Sequence, residues 1–254
     1  MDLFCLDGKV ALVTGGARGI GKGISAVLGK IGATVIIADI DAVSAETTVS
    51  ELKENKINTE FIDADITKTD DREILVKKII EKYRKIDILV NNAGMSLKCP
   101  AENVLDEDWR RVIELNLHAP FFLTQLVGRE MIKQHQGKII NVTSMSAFIV
   151  NKGIPQISYN VSKTGLEMMT KCFAAEWAKY NIQVNALAPG YVLTPLTEKA
   201  FSRPEIMKER TDLIPMGRIA SPKDIYGTVV FLASKGSDYV TGQSIVIDGG
   251  YTLW

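Results

Sequence analysis

Lys9-Val-Ala-Leu-Val-Thr14 runs without a break into Gly15-Gly-Ala-Arg18-Gly19-Ile-Gly21. The apolar run reads as a buried strand, and a helical pattern follows over about 20–30. Between them, Gly15 permits a tight turn, Gly19 lets backbone approach a pyrophosphate, and Gly21 lets helix pack closely on strand. A helix that begins there presents unpaired N–H groups to an anion. Gly15, Arg18, Gly19, Ile20 and Gly21 are therefore candidate cofactor-binding residues, with a G-x-x-x-G-x-G spacing.

The next apolar run, Thr34-Val-Ile-Ile-Ala-Asp39, ends on a carboxylate about 18 residues beyond Gly21. Asp39 is placed to accept hydrogen bonds from the adenosine ribose hydroxyls and to repel a 2′-phosphate. That favours NAD. Arg18 favours NADP instead, since a guanidinium binds phosphate well. Asp39 is weighed more heavily, because Ile40 follows it and no second cation joins Arg18. A helix cap is the alternative role for Asp39.

Further outward, Ile86-Asp-Ile-Leu-Val-Asn91, Gly137-Lys-Ile-Ile-Asn-Val-Thr143, Ile182-Gln-Val-Asn-Ala-Leu187 and Ser244-Ile-Val-Ile-Asp248 also read as strands, with a weaker one from Thr59 to Asp63. Helical patterns lie between them over about 42–55, 69–83, 106–133, 157–180 and 222–233. Thr69, Asp106 and Ser221, the last with Pro222 in the first turn, are the expected N-caps. This alternation predicts an α/β fold, a Rossmann-type doubly wound parallel sheet of about seven strands with helices on both faces. No linker or repeat divides residues 1–254, so one domain is expected. The stretch 190–217 carries Pro195, Pro204 and Pro215 after a late strand and reads as a substrate lid, with a plain surface excursion as the alternative.

Composition narrows the function. The 254 residues are 46% hydrophobic and 24% charged with zero net charge, which suits a globular protein and gives no reason to expect nucleic acid or an acidic membrane as partner. Cys5, Cys99 and Cys172 are scattered and odd in number, so a reducing cytosol is expected. The acidic start lacks the pattern of a secretory signal, and no run is long enough to span a bilayer. His118 and His135 lack the company of a metal site or a hydrolytic triad, so no metal is expected.

Tyr159-Asn-Val-Ser-Lys163 places a phenol and an amine on one face of a predicted helix. A lysine there is expected to lower the phenol's pKa and make it a usable base. A solvated lysine beside a half-buried tyrosine is the bland alternative. Taken with the glycine loop and Asp39, the chain resembles the short-chain dehydrogenase/reductase family over nearly its whole length. Asp65-Ile66 looks like the family's adenine-contacting pair, and Asn91-Asn92-Ala93-Gly94 like its N-N-A-G motif. Asn116 falls at the family's catalytic asparagine, and Asn141-Val-Thr-Ser144 looks like its serine motif. Pro189-Gly190-Tyr-Val192-Leu-Thr194 looks like the segment that meets the nicotinamide carboxamide, and Asp248-Gly249-Gly250 like the terminal D-G-G.

The resemblance implies reversible hydride transfer between a secondary alcohol and a nicotinamide cofactor. Asn116, Ser144, Tyr159 and Lys163 would be catalytic, Asn116 through a water. Tyr159, Lys163, Asp65, Ile66, Asn92, Ala93, Gly94, Pro189, Gly190, Val192 and Thr194 would join the glycine loop and Asp39 around NAD, with NADP the less favoured cofactor. One departure stands out. Many members carry the serine about 13 residues before the tyrosine; here Ser144 lies about 15 before it and Ser146 about 13. The strand context favours Ser144 as catalytic, with Ser146 as a substrate contact.

The segment from Ser144 to Asn160 looks most like the sugar and polyol dehydrogenases, those acting on gluconate, arabinitol and galactitol. Ser146, Asn151 and Gln156, beside Ser144 and Tyr159, would then read substrate hydroxyls; loop capping is the alternative for the same side chains. The substrate expected is a polyol, sugar or ketose. A 3-oxoacyl-thioester reductase using NADPH is the alternative enzyme, and a non-catalytic nucleotide binder a third reading. The family commonly forms tetramers through the helices here at about 106–133 and 157–180 and the last strand, so a homotetramer is expected. The Trp254 carboxylate could meet a subunit or a cation, or belong to a frayed tail.

Overall fold

The computed structural model describes residues 2–194, 197–198 and 201–253. The role expected for Trp254 lies outside them, as do four positions of the expected lid. Among the described residues there are seven strands: β1 Val10–Thr14, β2 Thr34–Asp39, β3 Thr59–Asp63, β4 Ile88–Asn91, β5 Gly137–Val142, β6 Ile182–Pro189 and β7 Ser244–Ile247. All pair in parallel, in the order β3-β2-β1-β4-β5-β6-β7. The chain starts at the centre, works out to β3, then crosses back to β4. The reversal between β1 and β4 opens a crevice beyond the carboxyl ends of the strands, where this architecture binds ligands.

The helices are α1 Gly19–Lys30, α2 Ala42–Glu54, α3 Thr69–Tyr83, α4 Asp106–Ile113, α5 Ala119–Gln134, α6 Ile157–Trp177, α7 Pro204–Thr211 and α8 Lys223–Ala233. Successive residues of β1 serve opposite faces, as a strand's period of two requires. Ala11 and Val13 pack with Ile24 and Leu28 of α1 and Val229 of α8. Val10 and Leu12 pack with Leu75 of α3, Leu123 of α5 and Phe173 of α6. Burial on both faces explains why the strands read as near-continuous apolar runs. Leu12 has no exposure, and truncating it to alanine costs about 2–5 kcal/mol. A third, smaller cluster of Met145, Ile214 and Tyr251, with Tyr191 and Ile149 against it, joins the loop after β5, the segment after α7 and the C-terminal turn.

Two expectations need correction. The helix expected over 106–133 is α4 and α5 separated by a π-helical segment, Glu114–His118. Pro120 is the physical reason. It has no N–H to return to the Asn116 carbonyl, and its ring crowds that carbonyl, so a regular α-helix cannot run through. The expected caps also fall one or two residues inside or outside the helix ends. Thr69 and Asp106 are first helical residues preceded by Lys68 and Leu105, and their oxygens are engaged by Arg72 and Arg110. Ser221 donates its N–H and hydroxyl to Asp224 (2.7 and 3.0 Å) rather than accepting.

Candidate active site

The glycine loop and the segment after β4 close on each other at the crevice. The Thr14 hydroxyl accepts the N–H groups of Asn92 and Ala93, each at 3.1 Å, and the Asn92 amide donates to the carbonyls of Thr14 and Gly15, each at 2.9 Å. A Cβ on Gly21 would sit 2.0 Å from the Gly15 carbonyl oxygen, so only glycine lets α1 start this close. Gly19 has φ +54°, and a Cβ there would lie 3.6 Å from Thr194, which shows the segment after β6 against the loop. Arg18 at the α1 N-cap position makes no side-chain cap, and the first turn, in which Ile20 is the second residue, holds no acid. Its N–H groups and dipole are thus available to a phosphate, and the residues present fit a dinucleotide.

At the end of β2, Asp39 accepts from the backbone N–H groups of Ala17 and Asp41, each at 3.1 Å. Its carboxylate is held in place with lone pairs to spare. Arg18 does not reach it. Its guanidinium lies 3.3 Å from Asp41 and is 67% exposed. Asp65 accepts from the backbone and hydroxyl of Thr67, and the carbonyl of buried Ile66 is bound by Arg72 at 2.6 Å, so this pair fixes the loop after β3. Gly94 carries the motif after β4 toward the reacting groups: a Cβ there would lie 3.1 Å from Asn116 Oδ1 and 3.5 Å from Lys163 Nζ.

Asn116 is fully buried in the π segment. Its amide pairs with both backbone groups of Met95 (2.8 and 2.9 Å) and donates to Ser162 Oγ at 3.0 Å. Ser162 in turn donates to the Tyr159 carbonyl at 2.8 Å. The Asn116 side chain is fully used in positioning, and its backbone carbonyl is the group Pro120 leaves without that N–H. Lys163 is buried, and its amine donates to the Val142 carbonyl at 2.8 Å while lying 5.8 Å from the centre of the Tyr159 ring. Burial pushes the amine down to about 8. Burial also pushes the Tyr159 phenol up, against a hydrogen bond from Ser144 that works the other way. The lowering expected from Lys163 does not prevail over burial here. Desolvation outweighs any help from an amine committed to a carbonyl.

The two serines differ in their hydrogen bonds. Ser144 follows the end of β5 in extended backbone, and its hydroxyl accepts the Ser146 N–H at 3.1 Å. That leaves the Ser144 proton free to face Tyr159 or a substrate oxygen. Ser146 turns away, donating to Asn151 Oδ1 at 2.6 Å. Gln156 donates to the same oxygen at 3.0 Å, and the Asn151 amide reaches the Tyr191 hydroxyl at 3.4 Å. Ser146, Asn151 and Gln156 are all buried and bonded to one another, so they brace the loop between Ser144 and Tyr159. Asn160 completes the brace through the carbonyls of Ser146 and Ile149.

Beyond β6, Gly190 follows Pro189 and passes so close to β7 that a Cβ would meet Asp248 Cα at 2.7 Å. Val192 is buried and Thr194 is held by Thr197. Asp248 accepts the N–H groups of Gly250 and Thr252, both at 2.8 Å, which closes the C-terminal turn. Arg210 of α7 donates to the Lys152 carbonyl at 2.7 Å and lies 5.7 Å above the Tyr191 ring, so α7 is fastened to the serine loop. Thr14, Asp41, Ser162 and Asn160 were missed from the sequence. Ser162 and Asn160 lie inside the Tyr-Lys motif, where only the two ends carry an obvious chemical signal.

A family model described as enoyl-(acyl carrier protein) reductase matches residues 15–252. The chain is 42% identical to a 3-oxoacyl-[acyl-carrier-protein] reductase of Thermotoga maritima, covering 98% of this chain and 99% of that protein. It is 40% identical to a 2-dehydro-3-deoxy-D-gluconate 5-dehydrogenase of Dickeya dadantii (99% and 98%) and 38% identical to an NAD-dependent glycerol dehydrogenase of Listeria innocua (98% and 96%). Among solved structures, a short-chain type dehydrogenase/reductase from Mycobacterium marinum superposes with a TM-score of 0.95 at 33% identity, covering 100% and 99% of the two chains. A gluconate 5-dehydrogenase from Burkholderia cenocepacia in complex with NADP and tartrate does so with the same TM-score and identity, covering 100% and 98%.

Proposed function

The chain belongs to the short-chain dehydrogenase/reductase family, and from that premise we propose that Asn116, Ser144, Tyr159 and Lys163 interconvert a secondary alcohol of a polyol or sugar with the ketone. It is an oxidoreductase acting on CH–OH groups with a nicotinamide dinucleotide. The observation that carries the catalytic reading is the convergence of Lys163 and Asn116 on Gly94, with the Ser144 hydroxyl near enough to the Tyr159 phenol to oppose its rise in pKa.

The cofactor supplies or takes the hydride. Tyr159 takes the alcohol proton in oxidation and returns it in reduction. Ser144 donates to the substrate oxygen as charge develops there. Lys163 holds the ribose hydroxyls beside the nicotinamide, and the Asn116 carbonyl anchors a water that carries protons to solvent. The backbone of Gly15, Arg18, Gly19, Ile20 and Gly21 would surround the pyrophosphate, and Asp65, Ile66, Asn92, Ala93 and Gly94 would line the adenosine side and the approach to the nicotinamide. Pro189, Gly190, Val192 and Thr194 meet the carboxamide. Ser146, Asn151 and Gln156 shape the substrate loop, and the single domain closes over it with 190–217 as a lid.

NAD is the preferred cofactor on the strength of Asp39, whose fixed carboxylate suits a ribose diol and repels a phosphate. Homotetramerisation is supported by the exposed apolar side chains of Phe121 and Phe122 on α5 and Val161 and Met168 on α6, together with the free edge of β7. The three free thiols suit the cytosol. No helix among the described residues is long and apolar enough to cross a membrane.

A spectrophotometric screen of polyols, sugar acids and ketoses with NAD(H) and NADP(H) tests the reading. Turnover of a polyol or ketose is the expected result. The 3-oxoacyl-thioester reductase is the second reading, favoured by the matched family model and the Thermotoga relative. Reduction of acetoacetyl thioesters by NADPH, faster than any polyol or ketose reaction, would establish it instead.

A further inference from the structure

Arg18 is the one cation in the Gly15–Gly21 loop, and a guanidinium there is a ready partner for a 2′-phosphate. The structure gives it another. Its Nη1 lies 3.3 Å from Asp41 Oδ2. Asp41 is fixed on three sides. It caps α2 by accepting the Ser44 N–H at 3.1 Å, its other oxygen accepts the Ser44 hydroxyl at 2.8 Å, and its own N–H donates to Asp39 at 3.1 Å. Arg18 is long, exposed and otherwise unrestrained by a cap, whereas Asp41 cannot follow it. Ile40, between the two aspartates, is exposed and brings no charge. The other nearby cation, Lys22, is paired to Glu51.

We infer that Asp41 is a determinant of cofactor choice, and that it disfavours NADP by occupying the Arg18 guanidinium. This rests on the proposed preference for NAD. Asp39 discriminates directly at the ribose, while Asp41 removes the one cation that could offset it. A 2′-phosphate that recruits Arg18 must compete with the Asp41 carboxylate for the guanidinium's charge, and an exposed ion pair of this kind is worth only a small factor in affinity.

The test is fluorescence titration of NADPH and NADH into the full chain and its variants. Asp41→Asn keeps a side-chain acceptor at the cap, so α2 should persist, which thermal melting checks. It should tighten NADPH binding about two- to fivefold and leave NADH binding unchanged. The gain should shrink as salt rises, because the pair is exposed. In an Arg18→Ala background, Asp41→Asn should give no gain. Unchanged NADPH affinity in Asp41→Asn, or an equal gain with Arg18 removed, overturns the inference. A wild-type chain that binds NADPH more tightly than NADH sinks the NAD reading instead, and the two-residue comparison still reports whether Asp41 and Arg18 are coupled.

Discussion

Burial favours the neutral form of both Tyr159 and Lys163, yet the proposed chemistry needs the phenol to lose its proton in one direction. The phenol's pKa lies above its ordinary value, so the basic form is scarce at neutral pH and grows as pH rises. Oxidation of the alcohol should therefore speed up with pH through the alkaline range. Reduction uses the protonated phenol and should stay level there before falling. A pH profile of kcat/KM in both directions checks this, and an oxidation rate that is flat with pH contradicts it. Tyr159→Phe should lower kcat by about 10²–10⁴-fold with cofactor titration unchanged, and near-normal turnover would remove the tyrosine from its role. The pair itself was legible in the sequence because its spacing is helical. The direction of its pKa was not, because desolvation depends on what packs above the helix and no pattern in five residues records it. Ser144 and Ser146 differ in the same way. Strand context pointed to Ser144, but only the Ser146–Asn151 hydrogen bond shows the second hydroxyl turned aside.

The π segment Glu114–His118 is the element whose geometry departs most from its sequence pattern. Apolar periodicity continues through it, so a single helix over 106–133 was the natural reading. The signal that could have corrected it is Pro120, which denies its N–H to the carbonyl of Asn116. Pro120→Ala should let this turn relax toward α-helix and turn the Asn116 carbonyl back into the helical ladder. The expected result is a kcat lower by about tenfold, with melting temperature equal or higher and cofactor affinity retained. Unchanged kcat would mean that the π geometry is incidental to activity. Caps were the other weakness at this scale. Thr69, Asp106 and Ser221 have the right chemistry, but each lies within one or two residues of its boundary, and the neighbouring Arg72, Arg110 and Asp224 capture their polar groups. A cap depends on backbone angles at one residue, whereas a strand depends on a run, so runs are read more securely.

The sheet was legible at the scale of the whole molecule because a parallel sheet buried on both faces leaves unbroken apolar runs such as Leu12 and Val13 with their neighbours. Strand order follows from the crossover from β3 back to β4, and it places the glycine loop and the Asn92 segment side by side. What sequence patterning leaves open is what covers the apolar surface that the fold itself does not. Phe121, Phe122, Val161 and Met168 stand exposed on α5 and α6, and His118 and Leu117 line the same groove as the two phenylalanines. A second copy of the chain supplies an identical surface, and in a two-fold contact residue i of one copy meets residue j of the other while j meets i. A charge placed there is buried twice, once in each copy, so the penalty is doubled. Met168 is exposed enough that its replacement does not disturb the core. Met168→Glu should therefore leave circular dichroism and the folded state intact while shifting the sedimentation coefficient from that of the proposed tetramer toward dimer or monomer. A wild-type chain that sediments as a monomer at micromolar concentration would refute the assembly, and a Met168→Glu chain that remains a tetramer would move the contact away from α6.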